Sequence, residues 1–395
     1  MARLRRVRLP VCACAAALLA SCGHGGQAPQ RASWSDFERQ LQDEASHAGP
    51  GTVIEIPAGT YPLHGTLMLR AAAVILRGAG SERSILSWRN APAGTAGVVL
   101  SGNGVRVENL AIQDAPADGL TVTGRNDVVR GVEVAWTRGP LPSNGAFGLR
   151  ATGAQDLLIE DCAAFSAAGS GLYLARSRNV IVRRCRLEQN VTGAAIEASE
   201  RVDLSGTIVT GNSVGVLVSG AAGSGGNATR IFGNHIYKNN LASFAPAASG
   251  AAGAAAGTGV AIRAASRVEV FDNDISENQT ANVFIGAAAP GAPAAAPYAH
   301  GILIYGNRFA GGGNAPQGAQ LEAVRAALYG SGRLPDIVWD GREEDSVAAG
   351  EWLCANNAPA QVLNAGATHD SRQPRTQARA CALPKLPAVV LSGAP

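Results

Sequence analysis

Short apolar alternations recur along the chain, and they fall into one register. "VRVENLAI", "DVVRGVEV", "LLIEDCAA", "VIVRRCRL", "VDLSGTIV", "TRIFGNHI", "VEVFDNDI" and "LIYGNRF" overlay so that Val107, Val129, Ile159, Val182, Leu204, Ile231, Val270 and Ile304 share one position. Each phrase alternates over only a few residues, as a short strand with one buried face does. A second phrase follows in most copies: "DGLTV", "FGLRA", "SGLYL", "AAIEA", "VGVLV", "TGVAI" and "NVFI".

The tightest copies, Val107 to Val129 and Val182 to Leu204, lie 22 residues apart. A unit that short cannot bury its own apolar face, so the copies must stack. The pattern predicts an all-β chain, a right-handed parallel β-helix with one coil per repeat over residues 35–315. The alanine- and glycine-rich inserts "APAASGAAGAAAG" and "AAAPGAPAAAP" are then surface loops.

In such a stack, equivalent residues of successive coils lie about 4.8 Å apart. One position reads Leu110, Val132, Cys162, Cys185, Thr207, Asn234, Asn273 and Asn307 down the stack. It predicts an inward ladder, apolar at the start and asparagine at the end, where stacked amides satisfy one another. Cys162 and Cys185 are expected to be small buried rungs with free thiols, because parallel side-chain vectors do not favour a bond.

The open ends of a β-helix need covers. "SWSDFERQLQDEASHAG" offers Ser35 as a helix cap with Glu38 three residues on and apolar Phe37 and Leu41 behind them, which predicts a lid helix. "QGAQLEAVRAALYG" predicts a second helix, within a capping tail over 316–395 that is irregular from about Asp336. In that tail Cys354 and Cys381 flank a polar segment, and a disulfide between them suits an oxidising compartment.

Composition fits a turn-rich solenoid: of 395 residues, 46% are hydrophobic but only 5% aromatic, and 49 are glycine. The first residues change the picture more. "MARLRRVRLPVCACAAALLASC" has four arginines, a short apolar run and a small-residue step, the layout of an export leader over 1–21. Leu19-Ala20-Ser21-Cys22 resembles a bacterial lipobox, which implies lipidation at Cys22, a flexible tether over 22–34 and anchoring to the outer membrane, periplasmic or surface-facing. Without Arg3, Arg5, Arg6 and Arg8 the formal +3 becomes about −1, so no basic footprint for nucleic acid remains.

"IPAGTYPLHGTLMLRAAAVILRGAGSERSIL" resembles the opening coils of the pectate-lyase-like superfamily. The run from "ADGLTV" to "HGILIYGNRFAGGGN" is similar to exported bacterial parallel β-helix repeat proteins. The resemblance implies export or lipidation and pairing with a second exported protein, and it implies no established reaction.

β-Helix enzymes of that superfamily act on acidic polysaccharides, and elimination or C5-epimerisation at a uronate needs a cation for the carboxylate, a base and an acid. The outward position of the second phrase, taken from the overlay above, reads Thr121, Arg150, Tyr173, Glu197, Leu217, Ala261 and Phe284. Arg150, Tyr173 and Glu197 are therefore the candidate catalytic residues, on three consecutive coils. A solvated surface stack in which Glu197 and Arg150 flank Tyr173 accounts for the same residues.

Trp136 and Asn144, in the insert "WTRGPLPSNGAF", and Asp118 beside them are candidate substrate contacts. A coil-edge cap is the alternative for Trp136, and a turn role for Asp118 and Asp114. "DNDISEN" sets out Asp272, Asp274 and Glu277 without a calcium-loop spacing, so no metal is assigned, and calcium stays open. His235 has no carboxylate partner nameable from sequence. Three functions follow: a uronate lyase or epimerase, a non-catalytic glycan binder or scaffold, and a docking partner for another exported protein.

Overall fold

The computed structural model describes residues 6–7, 30–220, 227–246, 255–288, 298–342, 352–357, 361–366, 375–378 and 381–392. Cys22 and nearly all of the leader lie outside the described residues, as do the centres of both alanine-rich inserts. Arg6–Val7 pairs in parallel with Val53–Ile54.

The chain is a right-handed parallel β-helix of three-strand coils. One coil runs Arg178–Arg183, Arg186–Glu188 and Thr192–Glu197. The next runs Glu200–Ser205, Ile208–Thr210 and Val214–Ser219. Stacked coils give a 20-stranded sheet covering the first and second faces and a 12-stranded sheet on the third. The register of the first face matches the overlay: Val107 pairs with Val129, then Ile159, Val182, Leu204, Ile231, Val270 and Ile304 in turn. Their side chains, each 2% exposed or less, line one core along the whole stack. Each such side chain removed from water contributes about 1.5–3 kcal/mol.

The turns explain the polar positions. At the first corner of each coil a residue takes a left-handed conformation: Asn109, Gly131, Asp161, Arg184, Gly206, Gly233, Asp272 and Gly306, with φ between 52° and 63°. Gly, Asn and Asp tolerate that region best. The next residue turns inward, which buries Cys162 and Cys185 as free thiols and then the asparagines. Asn234 Nδ2 donates to Asn273 Oδ1 at 3.0 Å, Asn273 to Asn307 at 2.8 Å and Asn307 to Asn357 at 3.3 Å.

A second ladder, absent from the expectations, stands at the next corner. Asn190 donates to Asn212 at 3.1 Å, Asn212 to Asn239 at 2.9 Å and Asn239 to Asn278 at 3.2 Å. Facing it is a column of glycines that open the third-face strands. A methyl group on Gly171, Gly193, Gly215 or Gly259 would stand only 2.6–2.9 Å from the amide nitrogen of the facing asparagine. The same methyl would meet the carbonyl oxygen of the next coil at 2.4–3.0 Å, so the glycines make room for both the ladder and the close approach of successive coils.

On the outside of the first face one column alternates in charge: Glu55, Arg77, Glu108, Arg130, Glu160 and Arg183. Successive members form ion pairs of 2.6–4.0 Å. Farther along, the column becomes aromatic, with Phe232, Phe271 and Tyr305 stacked at 4.9 and 5.0 Å. This column neutralises itself.

Helix α1, Gln30–His47, covers the N-terminal end, with Leu41 buried and Phe37 stacked on Tyr61 at 3.9 Å. It begins at Gln30, so Ser35 falls within the helix and not at its first position. Glu38 binds the backbone instead, accepting from His64 N at 2.7 Å and Gly65 N at 2.9 Å.

Helix α2, Ala319–Tyr329, packs near the other end. The sheets continue past residue 315: Ile337–Trp339 and Leu353–Asn356 pair in parallel with the third and first faces, so the segment from Asp336 is less irregular than its composition suggests. Cys354 and Cys381 are joined by a disulfide. Beyond it the chain straps the first face, where Leu386 N donates to Glu269, Val389 N to Asp203 and Ser392 N to Asp156.

Candidate functional site

The third face carries the candidate residues, and its register differs from the overlay at one coil. Arg150 pairs with Tyr173, and Tyr173 pairs with Ala195, followed by Leu217, Ala261 and Phe284. Glu197 therefore stands two positions farther along, in line with Ala175 and Ser219. The overlay set "AAIEA" against "SGLYL", whereas the true counterpart is "TGAAI". Gly193, the member of the glycine column in that coil, was the signal that would have fixed the alignment.

Tyr173 nevertheless reaches Glu197. Its hydroxyl donates to Glu197 Oε2 at 2.7 Å, crossing from one coil to the next. The Tyr173 ring stacks on Phe147 with centroids 4.2 Å apart, and the Arg150 guanidinium lies over the other side of that environment, 5.3 Å from the Phe147 centroid. Arg150 Nη1 donates to Asp118 Oδ2 at 2.7 Å, and Nε to Thr152 Oγ1 at 3.3 Å. The result is one polar track, Asp118, Arg150, Tyr173 and Glu197, built on rigid strands and backed by Phe147.

Burial, and then the Glu197 carboxylate, push the Tyr173 phenol up to about 12, with Arg150 and Arg176 opposing. Tyr173 is therefore a proton donor at neutral pH. Glu197 is exposed and its carboxylate already accepts that donor, so the pair can pass a proton between a ligand and the phenol. Arg150, by contrast, is neutralised by Asp118 before any ligand arrives.

Two expected substrate contacts are structural. Trp136 is 5% exposed and its indole N–H donates to Ala115 O at 2.7 Å, so no ring face is free for a sugar. Asn144 is also buried, its amide donating to Gly139 O at 2.8 Å and Ser166 O at 2.7 Å. Both hold the 136–146 loop closed against the coil, where an indole and an amide find all their partners in backbone. Asp114 serves the same turn, accepting from Thr137 N at 2.8 Å and pairing with Arg89 at 3.0 Å.

On the second face His235 does have a carboxylate beside it. Asp274, on the next coil, lies 3.4 Å away and also pairs with Arg308. Glu277 is 3.5 Å from Lys238, and Asp272 is the left-handed corner residue of its coil. These acids serve ion pairs and turns, and among the described residues no three His, Cys, Asp or Glu side chains gather as metal ligands.

A family model described as right-handed β-helix region matches residues 88–228. Among curated proteins no sequence matches the chain. Solved structures do. The A-module of the mannuronan C-5 epimerase AlgE4 from Azotobacter vinelandii aligns over 71% of this chain and 85% of its own, with a TM-score of 0.50 and 16% identity. A tailspike protein of E. coli bacteriophage HK620, solved in complex with a pentasaccharide, aligns over 73% of this chain and 55% of its own, with a TM-score of 0.51 and 16% identity. At that identity the likeness is one of fold, and it places this chain among the right-handed β-helices.

Proposed function

We propose that the chain is an exported, lipid-anchored β-helix protein that binds a uronate-containing polysaccharide along its third face and acts on it as a lyase or C5-epimerase. The observation that carries this is the 2.7 Å hydrogen bond from Tyr173 to Glu197 on an open, rigid sheet. The two fold neighbours support the ligand class, since one is a mannuronan epimerase module and the other was solved with an oligosaccharide. The lipobox at Cys22 supports the anchor and the outer membrane as its destination.

In the elimination, Glu197 takes the proton beside the uronate carboxylate. The C4–O4 bond breaks, its electron pair leaves on O4, and Tyr173 protonates that oxygen. The proton on Glu197 then returns to the phenolate through the bond that joins them, which restores both groups without a further reactant. Both side chains meet a ligand from one side, which suits departure of proton and leaving group from the same sugar face. For epimerisation the same pair would have to return a proton from the opposite face, so the geometry favours the lyase.

An ultraviolet assay for new unsaturated uronate ends, run on a panel of acidic polysaccharides, tests this. A signal that disappears in Tyr173→Phe supports the lyase. Silence across the panel, with no exchange of the C5 proton into deuterated solvent, overturns both reactions.

The ion pair of Arg150 with Asp118 favours a second reading, in which the face binds glycan without turnover and the chain is a surface scaffold docking another exported protein. A catalytic site needs its carboxylate cation free, and Arg150 is not free.

A further inference from the structure

The cation that Arg150 does not supply stands farther along the same face. Glu197 pairs with Ser219 and Ser219 with Arg263, so Arg263 is two coils on in the same outward column, about 10 Å away. It lines a cleft of about 290 Å³ between the third face and helix α2, together with Phe284, Asp340, Arg342, Gln317 and Gln320. The volume is close to the lower limit of small-molecule sites and suits one sugar ring.

Among the described residues that line this cleft, the charges do not balance. Arg263 Nε is buried without a hydrogen-bond partner, and Nη1 reaches only Ala287 O, at 3.4 Å. Asp340, the one acid among the described lining residues, is committed to backbone: Oδ2 accepts from Ala287 N at 2.7 Å and Oδ1 from Arg342 N at 3.0 Å. Among the described residues, neither Arg263 nor Arg342 has a carboxylate within ion-pair distance. Phe284 lies beneath the Arg263 guanidinium at 5.5 Å and holds its plane, as a fork that receives a carboxylate must be held. An unpaired buried donor on a guanidinium costs stability unless a ligand uses it.

We propose that this cleft is a carboxylate subsite, in which Arg263 and Arg342 hold the acid group of one uronate residue while Phe284 backs the guanidinium. The proposal shares its ligand class with the function above but does not need turnover. The two sites lie on one face, so a single extended acidic chain would cross both, and the subsite would set its direction and register relative to Tyr173 and Glu197.

The test is calorimetric titration of the full chain with tetrasaccharides of galacturonate, mannuronate and guluronate, and with a neutral tetrasaccharide of galactose. At least one acidic oligomer is expected to bind and the neutral one not. Arg263→Gln and Arg342→Gln are each expected to raise Kd about tenfold or more, as loss of a charge-assisted bond does, while Arg186→Gln, on the second face, leaves Kd within about twofold. Should Arg263→Gln fail to fold, Arg342→Gln, at an exposed position, carries the same expectation alone. Absence of binding by every acidic oligomer overturns the subsite, as does unchanged affinity in a folded Arg263→Gln or Arg342→Gln protein. The outcomes separate the two sites. Arginine-dependent binding without turnover leaves the subsite standing and removes the acid–base pair, and turnover with arginine-independent binding does the reverse.

Discussion

Tyr173 and Glu197 share a hydrogen bond of 2.7 Å although they are not register partners: the residue opposite Tyr173 is Ala195, and Glu197 lies two positions beyond it. The small side chain of Ala195 leaves the diagonal open, and a long phenol and a long carboxylate close it. Diagonal pairs of this kind lie within reach of aromatic side chains across adjacent strands.

Because both groups project outward, removing either polar atom should spare the fold. Tyr173→Phe and Glu197→Gln are expected to shift the melting temperature by less than about 3 °C, as surface changes below about 1 kcal/mol do in a chain of this size. Activity dependent on the pair should fall by about a hundredfold or more, in the range of general acid–base contributions. With the phenol pushed up to about 12, the rate should show no alkaline loss from Tyr173 until the pH approaches that value. A decline centred near pH 10 would show an ordinary exposed tyrosine and remove its assigned role. The pH–rate profile of the wild-type chain checks this.

The glycine column makes a sharper structural expectation. In Gly193→Ala the new methyl would stand 2.5 Å from Val209 Cγ1, 2.6 Å from Gly215 O and 2.9 Å from Asn212 Nδ2, so the coil must open. Overpacking of this kind costs about 1–3 kcal/mol, read as a lower midpoint in urea denaturation. Adding Asn212→Ala should not rescue the protein, since Val209 and the Gly215 carbonyl still block the methyl and the amides of Asn190 and Asn239 lose their partner.

The same column marks how far the sequence could be read. The first-face register was legible in full, because every coil repeats a short strand ending on an inward apolar residue, a left-handed corner and a second inward residue, and eight copies leave one alignment. The third face was legible wherever a large or β-branched residue marked the inward positions of its strand. At Thr192–Glu197 the chain "TGAAIEA" has three small apolar residues in a row, alternation is weak, and a two-residue slip preserves the inward pattern while moving Glu197 into the wrong place. The asparagines at 190, 212, 239 and 278 recur once per coil, but inserts of different length separate the later ones, so no fixed spacing marks them as a ladder. Trp136 and Asn144 illustrate the opposite limit, since an insert's exposure depends on what it folds against, and no periodicity reports that. The cleft around Arg263 was invisible because it is assembled from coils far apart in sequence and a helix.

Asp127 should make stability fall as the pH rises. It is 1% exposed, Oδ1 accepts from Val105 N at 2.8 Å, and Oδ2 is buried without a partner. Burial pushes its carboxyl up to about 7, against the lowering effect of the Val105 and Gly104 amides. An acid whose folded pKa exceeds its unfolded value holds more protons folded than unfolded, so its penalty is absent below about pH 4, grows from there to about 7, and is constant above. The full effect is at most about 4 kcal/mol. Asp127→Asn carries no charge at any pH and keeps the acceptor for Val105, so its denaturation midpoint should decline less over that window than the wild type's.

Glu160 works in the other direction. Burial would raise its pKa, but hydrogen bonds from Arg183, Arg130 and Arg184 overcome that and hold it at about 2. A lowered folded pKa gives stability that is present above the unfolded value, about 4.3, and is lost as the pH falls through about 2. The three arginines are 36–51% exposed, so screening limits the term to about 1–2 kcal/mol. The wild-type chain should therefore be most stable near pH 4–5, where Glu160 is ionised and Asp127 still protonated. Asp127→Asn should lessen the decline toward neutral pH, to which Asp340, Glu133 and Glu269, also raised by burial, contribute the remainder. Glu160→Gln leaves three arginines around a neutral amide, so it should lower the maximum by about 1–2 kcal/mol and abolish the loss between pH 4 and 2 that this site causes. Urea midpoints measured from pH 2 to 8 on the three proteins separate the two limbs, and a maximum that stays put in both variants would mean that neither carboxylate governs it.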